Sequence, residues 1–289
     1  PALICEHVDW ARSCGFEVTA AGKGTRYLPE YHSLTPDTVW EVLRQYLEID
    51  DPDSINLQMF NSFLDGSKSA IEMTAVCNAT GLVPQAQGLS FPPSSRFALA
   101  DVCKPQKDGG VLTCDGTTEV VSSLDRNGEP VDHHLAMGTF VIVKPKSDYA
   151  RQCFREYHML PDQSGHYGAL YRPTHMIGLE LGVSIASVAL RGEPTGQPHC
   201  FSSDVVAVAK RNLKAGETLD GEGGHCVHGK QMPAGPSMAK NALALGLSGG
   251  LTLTRDVDAG EVLCEEDVAL DNTDEAVQAR RMMRASFTL

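Results

Sequence analysis

The densest run of chemically capable side chains is Asn61-Ser-Phe-Leu-Asp65-Gly-Ser-Lys68-Ser-Ala-Ile-Glu72. The pattern predicts one helix from about Leu64 to Thr80, with Gly81 as the residue after its end. On that helix Asp65, Lys68 and Glu72 stand at i, i+3 and i+7 and share a face. A lysine between two carboxylates can hold a substrate oxygen or donate a proton to it. The carboxylates can orient the lysine or bind a divalent cation. A surface ladder of ion pairs has the same spacing, so spacing alone does not choose between the two.

A second cationic set is Gly22-Lys23-Gly24-Thr25-Arg26-Tyr27, expected as a loop after a short strand over Phe16 to Ala20. Backbone N–H groups of such a loop can face a phosphate, with Lys23 and Arg26 adding charge. An ordinary exposed loop fits equally. The spacing is not that of a Walker loop, and no G-x-G-x-x-G occurs in the chain. Further on, Arg172 can clamp an anion and His175 can act as a general acid or base, although capping or packing suits both. His133-His134 would point to opposite faces of a strand. His225-Cys226-Val227-His228 has a chelate-like spacing within a glycine-rich loop. Neither builds a convincing metal site, so the metal ligands are left unknown. Lys104, Lys107, Lys144 and Lys146 each sit near a proline at a segment end and are expected in solvent.

The elements that must position these groups follow from periodicity. Ala2 to Ser13 predicts a helix with Leu3, Ile4, Val8 and Ala11 on one stripe. Thr35-Pro36 caps a helix carrying Val39, Trp40, Leu43 and Leu47, closed by Asp51-Pro52-Asp53. Val111 to Val121 and Gly138 to Val143 are β-rich, with Asp115-Gly116 and Asn127-Gly128 expected as hairpin turns. Tyr149 to Met159 predicts a short helix and Met176 to Ala189 a buried one. After a linker at Glu193 to Pro198 comes an internal repeat. Arg211-Asn-Leu-Lys-Ala-Gly-Glu-Thr-Leu219 matches Arg255-Asp-Val-Asp-Ala-Gly-Glu-Val-Leu263 at the Arg, Ala, Gly, Glu and Leu positions. Two copies predict a paired β module. A charged helix is expected over Asp274 to Met283.

At 289 residues the chain is long for one domain and suggests two. A net charge of −13 disfavours general binding to nucleic acid or an anionic membrane, and no apolar run is long enough to span a bilayer. Nine widely spaced cysteines without a CxxC pair suit free thiols in the cytoplasm. The chain begins at Pro1, with a helix that has no preceding strand to pack on, and this suggests a piece of a longer protein. Self-association into a homo-oligomer is expected.

Ala21-Gly22-Lys23-Gly24-Thr25, the Asn61 to Glu72 run and Tyr171-Arg-Pro-Thr-His175-Met-Ile-Gly-Leu-Glu-Leu-Gly182 resemble the homoserine-dehydrogenase-like oxidoreductases that end in an SAF domain. The 1-deoxy-D-xylulose 5-phosphate reductoisomerase-like enzymes belong to that group. The Leu-Lys-Ala-Gly-Glu-Thr-Leu turn resembles the SAF (antifreeze-like, β-clip) module. The resemblance implies an α+β catalytic domain followed by a small mainly-β SAF domain. It places a remnant of a Rossmann-type cofactor domain at 1–25, the catalytic domain at 26–195 and the SAF-like domain with its terminal helix at 196–289.

By the same resemblance Lys68 falls on the family's catalytic lysine, with Asp65 and Glu72 beside it. Lys23 and Arg26 would meet the cofactor or the substrate phosphate, Arg172 and His175 would line the other wall of the substrate and phosphate site, and Gly22 and Gly24 would meet the cofactor. The implied chemistry is hydride transfer between NADPH or NADH and a small polar, phosphorylated carbonyl compound, with Mg2+ or Mn2+ as a helpful cation. A homoserine-dehydrogenase-type reaction, a non-catalytic SAF sugar- or metabolite-binding protein and a sugar-acid dehydratase are the alternatives.

Overall fold

The computed structural model describes residues 1–48 and 51–287. Its strands are β1 (Glu17–Thr25), β2 (Thr117–Ser122), β3 (Thr139–Lys144), β4 (Leu160–Pro161), β5 (Gly168–Arg172), β6 (Ser203–Ala209) and β7 (Val227–Pro233). Its α-helices are α1 (Ala2–Ser13), α2 (Val39–Leu43), α3 (Leu57–Leu64), α4 (Ser67–Thr80), α5 (Leu99–Val102), α6 (Asp148–Glu156), α7 (Leu181–Ala186), α8 (Ala234–Ala239) and α9 (Glu275–Ser286). The architecture is mixed α/β. One compact unit comprises Pro1–Leu28 and Glu72–Ser202, the other Pro29–Ile71 and Ser203–Leu289.

The first unit is built on a five-stranded sheet of order β2-β1-β3-β5-β4. β1 runs parallel to β2, and the other pairings are antiparallel. Helix α1 buries Ile4, Val8 and Ala11, the stripe expected from its spacing, and lies against β1 and β3. The segment 1–25, expected as the tail of a cofactor domain, supplies helix α1 and the interior strand β1 of this unit. Leu99, Leu112, Val121, Phe140 and Ile142 fill the core beside it.

Strand β1 is longer than expected, and the stretch expected as a glycine loop is its interior. Close packing explains both glycines. A Cβ on Gly22 would overlap the carbonyl oxygen of Glu119, and one on Gly24 that of Leu135. Gly22→Ala is therefore expected to cost about 3 kcal/mol by forcing β1 and β2 apart. Urea unfolding checks this, and an unchanged midpoint would show that the close approach is not used.

Because β1 lies between β2 and β3, Asn127-Gly128 does not join those strands as a hairpin. It closes a local turn in which Asp125 N–H donates to Glu129 O at 2.8 Å. Asp115-Gly116 instead leads into β2, with Gly116 N–H donating to Thr19 O at 2.8 Å. Helix α6 forms where expected, capped by Ser147, whose Oγ accepts from Ala150 N–H.

Met176 to Ala189 is not a buried helix. Only Leu181–Ala186 is α-helical, a π-type turn follows over Ser187–Arg191, and Leu179, Leu181, Val183, Ile185 and Leu190 are exposed. Apolar composition signals burial but does not say what covers the segment. Lys104, expected in solvent, is instead buried against Asp162 at 2.8 Å, and Lys144 pairs with Asp115 at 2.6 Å.

In the second unit β6 and β7 pair antiparallel, and the repeat wraps around them. Leu213 and Val257 exchange backbone hydrogen bonds of 2.8 and 3.0 Å. Arg211 pairs with Glu217 at 2.8 Å, and Arg255 pairs with Glu261 at 2.6 Å. Asn212 Oδ1 accepts from Ala259 N–H at 2.8 Å, and Asp256 Oδ1 accepts from Ala215 N–H at 3.0 Å. Each copy thus pins its own turn with an Arg–Glu pair and caps the other's Ala-Gly, an approximate two-fold arrangement. Gly216 and Gly260 take left-handed φ of +87° and +82°, which explains why both copies keep glycine there. Leu219 and Leu263 are buried in the core.

Helix α9 runs from the Asp274 cap as expected. Thr35 O accepts from Val39 N–H at 2.9 Å at the head of α2. The expected continuation of α2 to Asp51 passes through residues 49 and 50, which lie outside the described residues. All nine cysteines are free thiols. Among the described residues no helix is long and apolar enough to cross a membrane.

Candidate active site

The Asp65–Lys68 corner differs from a single helix in one decisive respect. Gly66 takes φ +88° and breaks the chain between α3 and α4, so Asp65 precedes the helix that carries Lys68. Asp65 Oδ1 accepts from Ser67 N–H at 2.9 Å and so caps the head of α4. Its Oδ2 lies 2.8 Å from Lys210 Nζ, and both side chains are almost wholly buried. The aligned bonds of that ammonium go elsewhere, to Leu34 O and Gly224 O, both at 2.7 Å. The Asp65–Lys210 contact is therefore charge on charge. Asp65, Lys68 and Glu72 do not form one ladder: each has a separate basic or acidic partner.

Lys68 Nζ lies 3.1 Å from Glu222 Oε1, with both side chains about one-third exposed (33% and 32%). The ammonium stands 5.9 Å from the centroid of Phe63. Glu222 sits in the Asp220–His225 loop, where Gly221 and Gly223 have left-handed φ. Gln58 Nε2 donates to Asp220 O and Glu222 O, both at 3.0 Å, and Asn61 Nδ2 donates to Gly223 O at 2.8 Å. His225, half of the chelate-like pair, lies between Asp220 and Asp37 at 3.0 and 3.1 Å.

Its sequence neighbour His228 is buried in β7 and stacks on His32, with ring centroids 4.3 Å apart. His32 Nδ1 lies 2.8 Å from the carbonyl oxygen of Asp65. These two rings and Lys210 line a cavity of about 320 Å3, with Glu30 and Ser33 also on its wall. Burial pushes the pKa of His228 down to about 3, helped by the nearby charges of His32 and Lys210. Burial also lowers His32.

For a histidine held neutral in this way, stability is complete above the unfolded value of 6.5 and is lost as pH falls from there toward 3. The loss is expected to approach about 1.4 kcal/mol per pH unit. Urea midpoints at about pH 7 and about pH 5 check it, with His228→Gln as the control that removes this titration. Equal slopes for parent and variant would contradict it.

Lys23, buried in β1, forms an ion pair with Glu72 of α4. Its charge is thus engaged within the sheet's own packing. Arg26 follows the end of β1 and is half-buried. Arg172, at the end of β5, pairs with Glu180 at 2.8 Å, and His175 Nδ1 meets Met137 O at 2.7 Å. Gly22 and Gly24 have their clearance filled by the backbone of Glu119 and Leu135, so they form no open cradle for a dinucleotide. Glu119 of β2 is fully buried, and burial raises its pKa. It accepts from Gln85 Nε2 at 2.5 Å and Ser90 Oγ at 2.6 Å. Among the described residues no three His, Cys, Asp or Glu side chains gather as a metal cage.

The family model described as "Oxidoreductase DRL, catalytic domain" matches residues 1–181. The chain belongs to the DRL oxidoreductase family. DRL is a reductoisomerase-like family, and the match makes this chain part of an enzyme. No curated protein matches the chain. The DRL match takes in Lys23, Asp65, Lys68, Glu72, Arg172 and His175 and stops short of Lys210, Glu222 and His228. Sequence reasoning missed those last three and His32 as partners of the corner. Lys210 directly follows a β-rich run and Glu222 lies between glycines, and neither pattern carries a catalytic signature.

Proposed function

We propose that this DRL-family chain carries the catalytic region of an NAD(P)H-dependent oxidoreductase acting on a small, phosphorylated carbonyl compound. The reaction we assign is reductoisomerisation of 1-deoxy-D-xylulose 5-phosphate. The observation that carries the reading is Lys68: it is partly exposed at the head of α4, held by Glu222, and inside the matched catalytic region. The nicotinamide supplies the hydride. Lys68 Nζ holds the carbonyl oxygen and gives it a proton as negative charge develops. Arg172, Arg26 and His175, all of the first unit, are proposed as anion-binding groups.

Gly22 and Gly24 face the carbonyls of Glu119 and Leu135, which leaves no room for a dinucleotide against them. The chain as given is expected to bind NADPH weakly. Micromolar binding in a fluorescence titration would contradict this. The paired repeat supports assigning an SAF module to the C-terminal part, and the protein is proposed to be a homo-oligomer. The reading is tested by NADPH oxidation with full-length protein on separate carbonyl substrates. Turnover of 1-deoxy-D-xylulose 5-phosphate is expected. Turnover of aspartate semialdehyde alone would favour the homoserine-dehydrogenase-type reaction, and binding without turnover a non-catalytic role.

A further inference from the structure

We propose that Glu222 is the positioning residue for Lys68, an inference that rests on the proton-donor reading of Lys68. As a stability device the pair makes little sense. Both side chains are about one-third exposed (33% and 32%), and such ion pairs contribute little to folding. Yet three side chains, the buried Asn61 and Lys210 and the exposed Gln58, hold the loop that presents this one carboxylate. Gln58 holds the carbonyls of residues 220 and 222, Asn61 holds that of Gly223, and Lys210 holds that of Gly224. Gly223 has no room for a Cβ against the carbonyl of Gln58, so the loop follows α3 closely. Asp220 fixes the far side of the loop by accepting from the amides of His225 and Cys226.

Gln58 and Asn61 belong to α3, the helix that leads directly into the Asp65-Gly66 corner and Lys68. Carboxylate and ammonium are thus mounted on one body. A lysine has a long, flexible stem with three equivalent donors. Glu222 takes one N–H at 3.1 Å and thereby fixes where the other two point. In the proposed step one of those N–H bonds breaks as an O–H bond forms on the substrate, the electron pair stays on nitrogen, and solvent returns the proton.

The test uses full-length protein with Glu222→Ala and Glu222→Gln, together with Lys68→Ala. Glu222→Ala is expected to lower kcat by about 10–100-fold with KM changed less than about 3-fold. Its solvent deuterium isotope effect should rise, because delivery from a mis-aimed ammonium becomes slower; a merely structural loss would not move it. Glu222→Gln keeps an acceptor oxygen in place and should recover most of the rate. Independently of turnover, acetylation of Lys68 by acetic anhydride, read by peptide mapping, should speed up at least about 3-fold in Glu222→Ala as the amine is freed. Unchanged acetylation, or a kcat and isotope effect equal to those of the parent, would overturn the role of Glu222 even if Lys68→Ala is inactive. Full activity of Lys68→Ala would instead overturn the proton-donor reading and this inference with it.

Discussion

Lys68→Ala is expected to lower turnover by about a thousandfold, the usual scale for removing a positioned acid. The fold should survive, because the side chain is about one-third exposed (33%) and its ion pair with Glu222 contributes little to stability. Lys68→Arg should not rescue activity. It keeps the charge, but its planar fork cannot place a single donor where the ammonium stood. Steady-state NADPH oxidation by full-length protein, with circular dichroism as the folding control, checks both variants. Turnover within a few-fold of the parent would remove Lys68 from the chemistry.

Breaking the Asp65–Lys210 pair is expected to have the largest effect on stability. Lys210→Met leaves a carboxylate with 0% exposure facing no countercharge, at a cost of about 3–5 kcal/mol. Asp65→Ala removes the cap on Ser67 as well and should cost a similar amount. The double replacement Asp65→Leu with Lys210→Met should cost clearly less than the two single costs together, because neither charge is then stranded. Urea unfolding of the three variants is the measurement. Single losses below about 1 kcal/mol would mean that water reaches the pair.

Much of the local structure was legible in the sequence, and the reasons are physical. Helix α1 carries a periodic apolar stripe, and α6 and α9 start at the caps Ser147 and Asp274, features that depend only on near neighbours. The repeat was legible because both copies need Gly at the same left-handed position and the same Arg–Glu pair. What failed depended on distant partners. Gly22 and Gly24 looked like a loop because a close strand-to-strand approach leaves the same residue as a turn. Asp65 looked like a helix residue until Gly66 broke the chain behind it. The partners Lys210 and Glu222 lie more than a hundred residues away from the corner, where no local periodicity reaches.

The most direct measurement follows deuterium from nicotinamide-deuterated NADPH into product, using full-length protein and 1-deoxy-D-xylulose 5-phosphate. Expected is one deuterium per NADPH consumed for the parent, with both label transfer and NADPH loss suppressed about a thousandfold in Lys68→Ala. NADPH left unconsumed by the parent, or equal label transfer by the two proteins, would contradict the assignment.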